Sequence, residues 1–130
     1  MDFTFTPEQD EAAELAARIL GDRTSSERMQ AVEAAGDRFD RDLWAELGAA
    51  GLLGLALPEQ HGGAGLGLVE LCRVLVEVGR RVAPVPLAAH GPASRLLAEE
   101  GSEEQRARWL PAAATGAVVV TAAVAEDLAF

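Results

Sequence analysis

The sequence predicts a mainly α-helical fold, a bundle of five or six helices with the start of a β-domain at its C-terminal end. Helix-capping patterns followed by apolar residues at spacings of three and four recur through most of the chain. The run VVVTAAV, at 118–124, favours a β-strand and is the only convincing strand signal. We therefore assign residues 1–116 to a helical domain and residues 117–130 to the first strand of a truncated β-domain.

Length and composition agree with one folded domain. The chain has 130 residues, of which 49% are hydrophobic and 25% charged, so it can bury a sizeable core. A lone strand has no neighbour to pair with, and its open edge would invite aggregation. We therefore expect these residues to be the front part of a larger protein, or to need a partner chain that supplies the sheet.

The charge balance disfavours nucleic acid as a partner. The net charge is −10, whereas a duplex-binding surface needs an excess of lysine and arginine. The segment MDFTFTPEQD does not resemble a signal peptide, and no run approaches the roughly 20 apolar residues that cross a bilayer. The expectation is a cytoplasmic protein without a membrane span. Cys72, the single cysteine, is expected to be a small buried hydrophobic residue rather than a reactive thiol.

Capping residues delimit three helices in the first part of the chain. A T-x-x-Q capping box opens the first helix at Thr6, and Gly21 is predicted to end it. The second lies between Thr24 and Gly36. The third begins at Asp40 and is expected to bury Leu43, Trp44 and Leu47.

The second half of the chain predicts three more helices. The longest regular one, at about 68–81, has an expected inward stripe and an expected solvated face of charged residues. The stripe consists of Leu68, Leu71, Cys72, Leu75 and Val78, and the charged face of Glu70, Arg73, Glu77 and Arg81. The VAPVP loop at 82–86 precedes a helix at 87–99. A capping box at Ser102 opens the last helix, which Pro111 is predicted to bend or restart.

The glycine-rich stretch from Gly62 to Gly67 has two possible interpretations. A dinucleotide-binding loop would read G-x-G-x-x-G after a strand, but the sixth position counted from Gly63 is Leu68. No Gly-Lys-Ser/Thr follows either. A corner between packed helices explains the glycines through positive φ and close packing, and we predict that corner.

Four motifs in order resemble the N-terminal helical domain of acyl-CoA dehydrogenases. LPEQHGGAGLGLVEL is similar to that family's P-E-x-x-G-G-x-G-x-x-x-x-E signature. The family's F-T-x-E-Q and D-x-x-x-W-x-x-L-x-x-x-G-L-L-G segments precede it, and G-S-E-E-Q-R-A-R-W-L-P with a later glycine follows it. The resemblance covers nearly the whole chain, up to about Val124.

This resemblance implies FAD-dependent α,β-dehydrogenation of an acyl-CoA thioester. In the family, a glutamate of the C-terminal domain removes the α-proton and the β-hydrogen leaves as hydride to the flavin. Most flavin contacts come from the middle β-domain and the C-terminal domain. No residue of this chain is therefore expected to be catalytic. The implied partners are the acyl-CoA substrate, an electron-transfer flavoprotein or similar acceptor, and other subunits of a homo- or hetero-oligomer.

The resemblance also places pocket-lining positions on the helix after VAPVP, namely Ala88, Ala89, Pro92 and Leu96. Small residues there would leave room for a bulky or branched acyl group. The alternative is that the alanines merely allow tight helix packing. The passage VAPVPLAAH also resembles dehydrogenases that act on steroid or other bulky acyl-CoA substrates.

The sequence departs from the family at the expected flavin contact. Where the family reads roughly A-x-T-E-P, this chain has AVAED at 123–127. The implied cofactor-binding positions are Ala122, Val124 and Ala125, and Ala125 lacks the threonine hydroxyl that would meet the flavin edge. The alternative function is therefore a non-catalytic, degenerate subunit or helical interaction module beside a competent partner.

Two pairs of polar residues offer weaker candidates. His61 and His90 have no second ligand at metal-binding spacing, so no metal site is expected. Arg80 and Arg81 could meet the phosphates of CoA, although paired surface arginines usually cover apolar surface or bind acids.

Overall fold

The computed structural model describes residues 4–123, and within them the chain is helical, as predicted. A short 3₁₀ turn at Glu59–His61 lies between the third and fourth helices. The six helices are α1 (Pro7–Arg23), α2 (Ser26–Ala34), α3 (Arg41–Ala49), α4 (Leu68–Arg80), α5 (Leu87–Glu100) and α6 (Glu103–Thr115).

The predicted capping boxes of α1 and α6 are both present. At the start of α1, the backbone N–H of Thr6 donates to Oε1 of Gln9 at 3.0 Å, and the Thr6 hydroxyl accepts from the Gln9 N–H at 3.4 Å. The same reciprocal pair joins Ser102 to Gln105 at 2.8 and 3.2 Å. Both helices thus begin where their caps predict, since each box satisfies backbone donors that the first turn leaves free.

The boundary between α1 and α2 differs from the prediction. Helix α1 continues through Gly21 to Arg23, and the cap of α2 is Ser25. The hydroxyl of Thr24 donates to the carbonyl of Leu20 at 2.7 Å, so Thr24 satisfies the end of the first helix and does not begin the second.

The main core lies among α1, α3, α4 and the segment that follows α3. Helix α3 buries the predicted face of Leu43, Trp44 and Leu47. The other fully or nearly fully buried apolar residues of this core include Ala16, Leu20, Leu52, Leu53, Val74 and Leu87. A smaller cluster of Leu57, Leu110, Ala113 and Ala114 fixes α6 against the glycine corner. Burial of this apolar surface is the main stabilising term.

The predicted stripe of α4 is wrong in part. Leu68 and Cys72 are exposed, whereas Val74 is buried beside Leu71 and Val78. Glu77, expected in solvent, is only 8% exposed and pairs with Arg80 at 2.6 Å. The predicted stripe was therefore right at Leu71 and Val78 and wrong at Leu68 and Cys72. All these positions share the helical period, so periodicity does not determine which of them pack against α1.

Pro111 does not interrupt α6, which runs from Glu103 to Thr115. The predicted restart there is therefore wrong. The hydroxyl of Thr115 donates to the carbonyl of Ala112 at 3.2 Å, near the end of the helix. Among the helices of residues 4–123, none is long and apolar enough to cross a membrane.

The predicted strand is not formed within 118–123, and Val124 lies outside the described residues. A strand requires a neighbour with which to exchange backbone hydrogen bonds. Here two of the backbone donors bind the helical domain instead. The N–H of Val118 donates to the carbonyl of Ala112 at 3.3 Å, and the N–H of Val120 donates to His90 Nδ1 at 3.1 Å.

Candidate functional site

The glycine stretch is a corner between the segment after α3 and the start of α4, as predicted. Gly62 and Gly65 have φ values of 84° and 68°, which disfavour any side chain. A Cβ on Gly63 would lie 2.1 Å from the carbonyl oxygen of Leu57, so the two backbones are in contact. The N–H of Gly65 donates to that same carbonyl at 2.9 Å. These contacts account for three of the glycines without a ligand.

Glu70, the last residue of the glycine motif, joins this corner to α1. Its Oε2 accepts from the N–H of Gly67 at 2.8 Å, and its Oε1 accepts from Nε2 of Gln9 at 2.9 Å. The hydrogen bond from Gln9 is the main reason that the pKa of Glu70 lies below its ordinary value. A carboxylate held ionised in this way caps a helix and is poorly suited to remove a proton.

The four predicted substrate-binding residues lie on one exposed face of α5. Ala88, Ala89, Pro92 and Leu96 are all exposed, Leu96 to 52%. The opposite face is buried and consists of Leu87, His90, Gly91, Ala93 and Ser94. Close packing falls on that buried face, where a Cβ on Gly91 would lie 2.9 Å from Leu71 Cδ1. Within the described chain the methyl groups of Ala88 and Ala89 therefore serve no tight helix contact.

A groove of about 690 Å³ begins at one end of this face. Ala88 lines it together with residues of α2, the end of α4 and the loop after it. The other apolar lining residues are Met29, Val32, Val78, Val82, Ala83, Pro84 and Val85. Ala89, Pro92 and Leu96 do not line this groove. The structure thus brings the four residues together on a helix face, with one of them at the mouth of a largely apolar groove.

Only one of the three predicted flavin positions falls in the described residues. Ala122 is exposed and follows the irregular segment after α6, whereas Val124 and Ala125 lie outside the description. An alanine offers a ligand its backbone N–H and carbonyl and a methyl group. Of the three predicted positions, the structure therefore describes Ala122 alone, and its side chain has no hydrogen-bonding group.

His90 is a buried polar residue whose burial the sequence analysis does not predict. The residue is 0% exposed, and its ring meets that of Trp44 edge-on with the centroids 5.0 Å apart. Burial lowers the pKa of His90, opposed only in part by the backbone carbonyl of Ala113. The signal was present, because His90 shares helical spacing with Leu87 and Ser94 rather than with the alanines.

The remaining polar candidates occupy ordinary positions. Arg80 pairs with Glu77, and Arg81 lies exposed at the end of α4 with its guanidinium next to Gly21. His61 is partly exposed, and its nearest polar partner is Gln60 at 3.4 Å. Among residues 4–123, no group of histidine, cysteine and carboxylate side chains could hold a metal ion.

Comparison with known protein families identifies the class of protein. The family model for the acyl-CoA dehydrogenase N-terminal domain matches residues 6–117. The chain therefore belongs to the acyl-CoA dehydrogenase family, as its N-terminal helical domain.

Individual acyl-CoA dehydrogenases are similar to the chain over most of its length. The chain is 36% identical over 125 residues to acyl-CoA dehydrogenase FadE27 of Mycobacterium tuberculosis, covering 95% of this chain and 34% of that protein. It superimposes on a variant of the Tcur3481–Tcur3483 steroid acyl-CoA dehydrogenase with a TM-score of 0.84 and 48% identity, covering 88% of this chain and 31% of that one. The ChsE4–ChsE5 complex from Mycobacterium tuberculosis gives a TM-score of 0.88 and 34% identity, covering 93% and 34%. The chain thus spans about a third of the length of these relatives.

Proposed function

We propose that this chain forms one wall of the acyl pocket of an FAD-dependent acyl-CoA dehydrogenase that acts on steroid side-chain or other bulky acyl-CoA thioesters. The observation that carries the proposal is the exposed face of α5, where small side chains line the surface. Ala88, Ala89 and Pro92 lie together there with Leu96 one turn further on. A face of this kind leaves volume for a wide acyl group beside it.

The similarity to a steroid acyl-CoA dehydrogenase supports the substrate class. The chain shares 48% identity with that enzyme over 88% of its own length. The groove of about 690 Å³ at the end of the α5 face is lined mainly by apolar side chains, as a pocket for a hydrophobic ligand requires.

FAD, when bound, accepts the hydride that leaves Cβ of the acyl group. Ala122, Val124 and Ala125 are the residues of this chain that we propose to contact it, chiefly through backbone groups. The four α5 residues orient the acyl chain and exclude water. No catalytic role is assigned to any residue of this chain. Reoxidation by an electron-transfer flavoprotein or a similar acceptor, and assembly into a homo- or hetero-oligomer, belong to the same proposal.

The test uses the full-length protein, purified with any partner subunit. We expect flavin absorbance and dehydrogenation of a steroid side-chain acyl-CoA in the presence of an artificial electron acceptor. Replacing Ala89 by Trp fills space beside the α5 face, so kcat/KM for that substrate should fall at least about tenfold with the flavin spectrum unchanged.

Ala107 provides the matched control for this variant. It is an exposed alanine on α6, outside the proposed pocket face. Ala107→Trp should leave kcat/KM within about twofold, as surface substitutions usually do. Equal effects of the two tryptophans, or no effect of Ala89→Trp, would contradict the proposed pocket.

A second candidate function is a non-catalytic subunit that stabilises a competent partner. The observation that favours it is the stretch 122–127. By the family resemblance, Ala125 there replaces a threonine that would contact the flavin, and Ala122 replaces an aromatic residue. A full-length protein that remains colourless when FAD is added, and that supports activity only by binding another dehydrogenase chain, would establish this alternative.

A further inference from the structure

Two side chains hold the segment that leads from α6 towards residues 122–125. Nε1–H of Trp44 donates to the carbonyl of Gly116 at 2.9 Å. Nδ1 of His90 accepts from the N–H of Val120 at 3.1 Å. The first contact comes from α3 and the second from α5, so the segment is fixed at two points to two different helices.

The geometry around Gly116 leaves little freedom at the first point. Gly116 ends α6 with a φ of 80°. A Cβ there would lie 2.5 Å from Leu53 Cδ1 and 2.9 Å from Nε1 of Trp44. Since only glycine suits both the positive φ and the close approach, the direction in which the chain leaves the helix is tightly defined.

The second point depends on the protonation state of His90. A histidine whose Nδ1 accepts a backbone N–H carries its proton on Nε2, so the ring is neutral. The buried, edge-on contact with Trp44 at 5.0 Å and 84° fixes the ring plane. Nε2 is buried and forms no direct hydrogen bond among the described residues, although the nearby Ala113 carbonyl favours the protonated ring. Packing and the bond to Val120 are therefore what the ring contributes.

We propose that His90 is a positioning residue, which acts with Trp44 to set the course of residues 116–120 and so to place Ala122, the described residue among the proposed flavin contacts. Val120 precedes Ala122 by two residues, which span at most about 7 Å of extended chain. A shift at Val120 therefore passes directly to the proposed cofactor contacts. The cofactor part rests on the proposed function, whereas the course of the segment does not.

The experiment compares two replacements of His90 in the full-length protein. His90→Leu removes the acceptor with little change in volume, whereas His90→Asn places an amide oxygen near the position of Nδ1. We expect hydrogen exchange at the Val120 amide to rise about tenfold in the leucine variant, because one hydrogen bond is lost. The dissociation constant for FAD should rise at least about fivefold and the visible circular dichroism of the flavin should change, because its backbone contacts move. The asparagine variant should restore most of these values.

Ser94 supplies the matched control. It is 0% exposed on the same face of α5, and its hydroxyl has no hydrogen-bond partner in the described part of the chain. Ser94→Ala should leave Val120 exchange and FAD affinity within about twofold. If the leucine variant does not fold, Trp44→Phe provides a second test. It removes the hydrogen bond to Gly116 but keeps an aromatic ring, and it should raise amide hydrogen exchange in residues 116–120.

The outcomes separate the two proposals. Unchanged Val120 exchange in His90→Leu would overturn the inference, as would equal effects of leucine and asparagine, which would indicate general destabilisation. Raised exchange with unchanged FAD affinity would overturn the positioning role. If the unmodified protein binds no FAD, the proposed function fails, and the exchange comparison still decides whether His90 sets the course of the segment.

Discussion

At the scale of single residues, Asp40 performs two tasks that depend on its burial. Its carboxylate accepts from Nε and a terminal nitrogen of Arg28 at 2.6 and 2.7 Å, and from the N–H of Leu43 at 3.0 Å. It therefore caps α3 and ties α2 to it. The guanidinium of Arg28 holds the pKa of Asp40 below its ordinary value.

Replacing Asp40 by Ala should lower the free energy of unfolding by about 2–3 kcal/mol, because a helix cap and a charge-assisted pair are lost together. Asp42 is the control. It contacts the same Arg28 at 3.3 Å but its side chain is 82% exposed, so Asp42→Ala should cost less than about 0.5 kcal/mol. Urea denaturation of both variants measures the difference, and similar losses would contradict this account.

His90 predicts a pH dependence with a definite sign. Burial lowers its pKa in the folded chain, so below the unfolded value of 6.5 the unfolded state binds a proton that the folded state refuses. The ring faces Trp44, Val120 and the Ala113 carbonyl, none of which is charged. As the pH falls below about 6.5, the free energy of unfolding should therefore fall, by at most about 1.4 kcal/mol per pH unit.

Urea denaturation at a series of pH values above and below 6.5 measures this fall in the free energy of unfolding. His90→Asn cannot titrate and should remove the decline, whereas His61→Asn should leave it in place. The carboxylates with lowered pKa, such as Asp40 and Glu70, lose their stabilising effect only at lower pH. A decline that persists in His90→Asn would show that another group causes it.

At the scale of helices, local chemistry determined most boundaries but not every buried face. The boxes at Thr6 and Ser102 and the cap at Asp40 are local hydrogen bonds, so the sequence alone predicts them. Helix α4 has apolar residues on two sides, and its period is the same whichever side faces α1. The burial of Val74 in place of Cys72 follows from contacts with residues distant in sequence, which periodicity does not contain.

The crossing of α3 and α6 yields a test with an internal control. A Cβ on Gly48 would lie 2.3 Å from the carbonyl oxygen of Thr115, whereas a Cβ on Gly79 would meet nothing within 4 Å. Gly48→Ala should therefore destabilise the chain by about 2 kcal/mol, because a backbone cannot yield as a side chain can. Gly79→Ala should stabilise it by about 0.5–1 kcal/mol through helix propensity.

Thermal unfolding of the two variants, followed by circular dichroism, distinguishes these effects. The midpoint should fall for Gly48→Ala and rise slightly for Gly79→Ala. A rise for both variants would show that α3 and α6 are not in backbone contact.

At the scale of the whole molecule, the fold class, the glycine corner and the family were all accessible from the sequence. In the motif that ends at Glu70, positive φ or close backbone contact requires glycine at positions 62, 63 and 65, and Glu70 caps α4. Such requirements restrict the residue types directly, so the sequence reveals them. The sequence predicts the buried side of α5 less directly. The sequence indicates nothing of the contacts of His90, because those with Trp44 and Val120 join segments far apart in the chain.

The cofactor segment gives a prediction for the complete enzyme. Ala125→Thr restores the hydroxyl that the family resemblance expects at the flavin edge, so FAD should be retained more firmly through gel filtration of the full-length protein. Ala125→Val, which has nearly the same shape without the hydroxyl, is the control. Equal retention by the unmodified protein and both variants would show that the missing hydroxyl is irrelevant.

The outward turn of Cys72 has a practical consequence. The thiol is exposed in an apolar groove with Leu68, Val69 and Val76, and it is the sole cysteine of these 130 residues. A maleimide dye would therefore attach to the domain at one known point on the outer side of α4. Energy transfer between that dye and a bound flavin would report the distance from α4 to the cofactor.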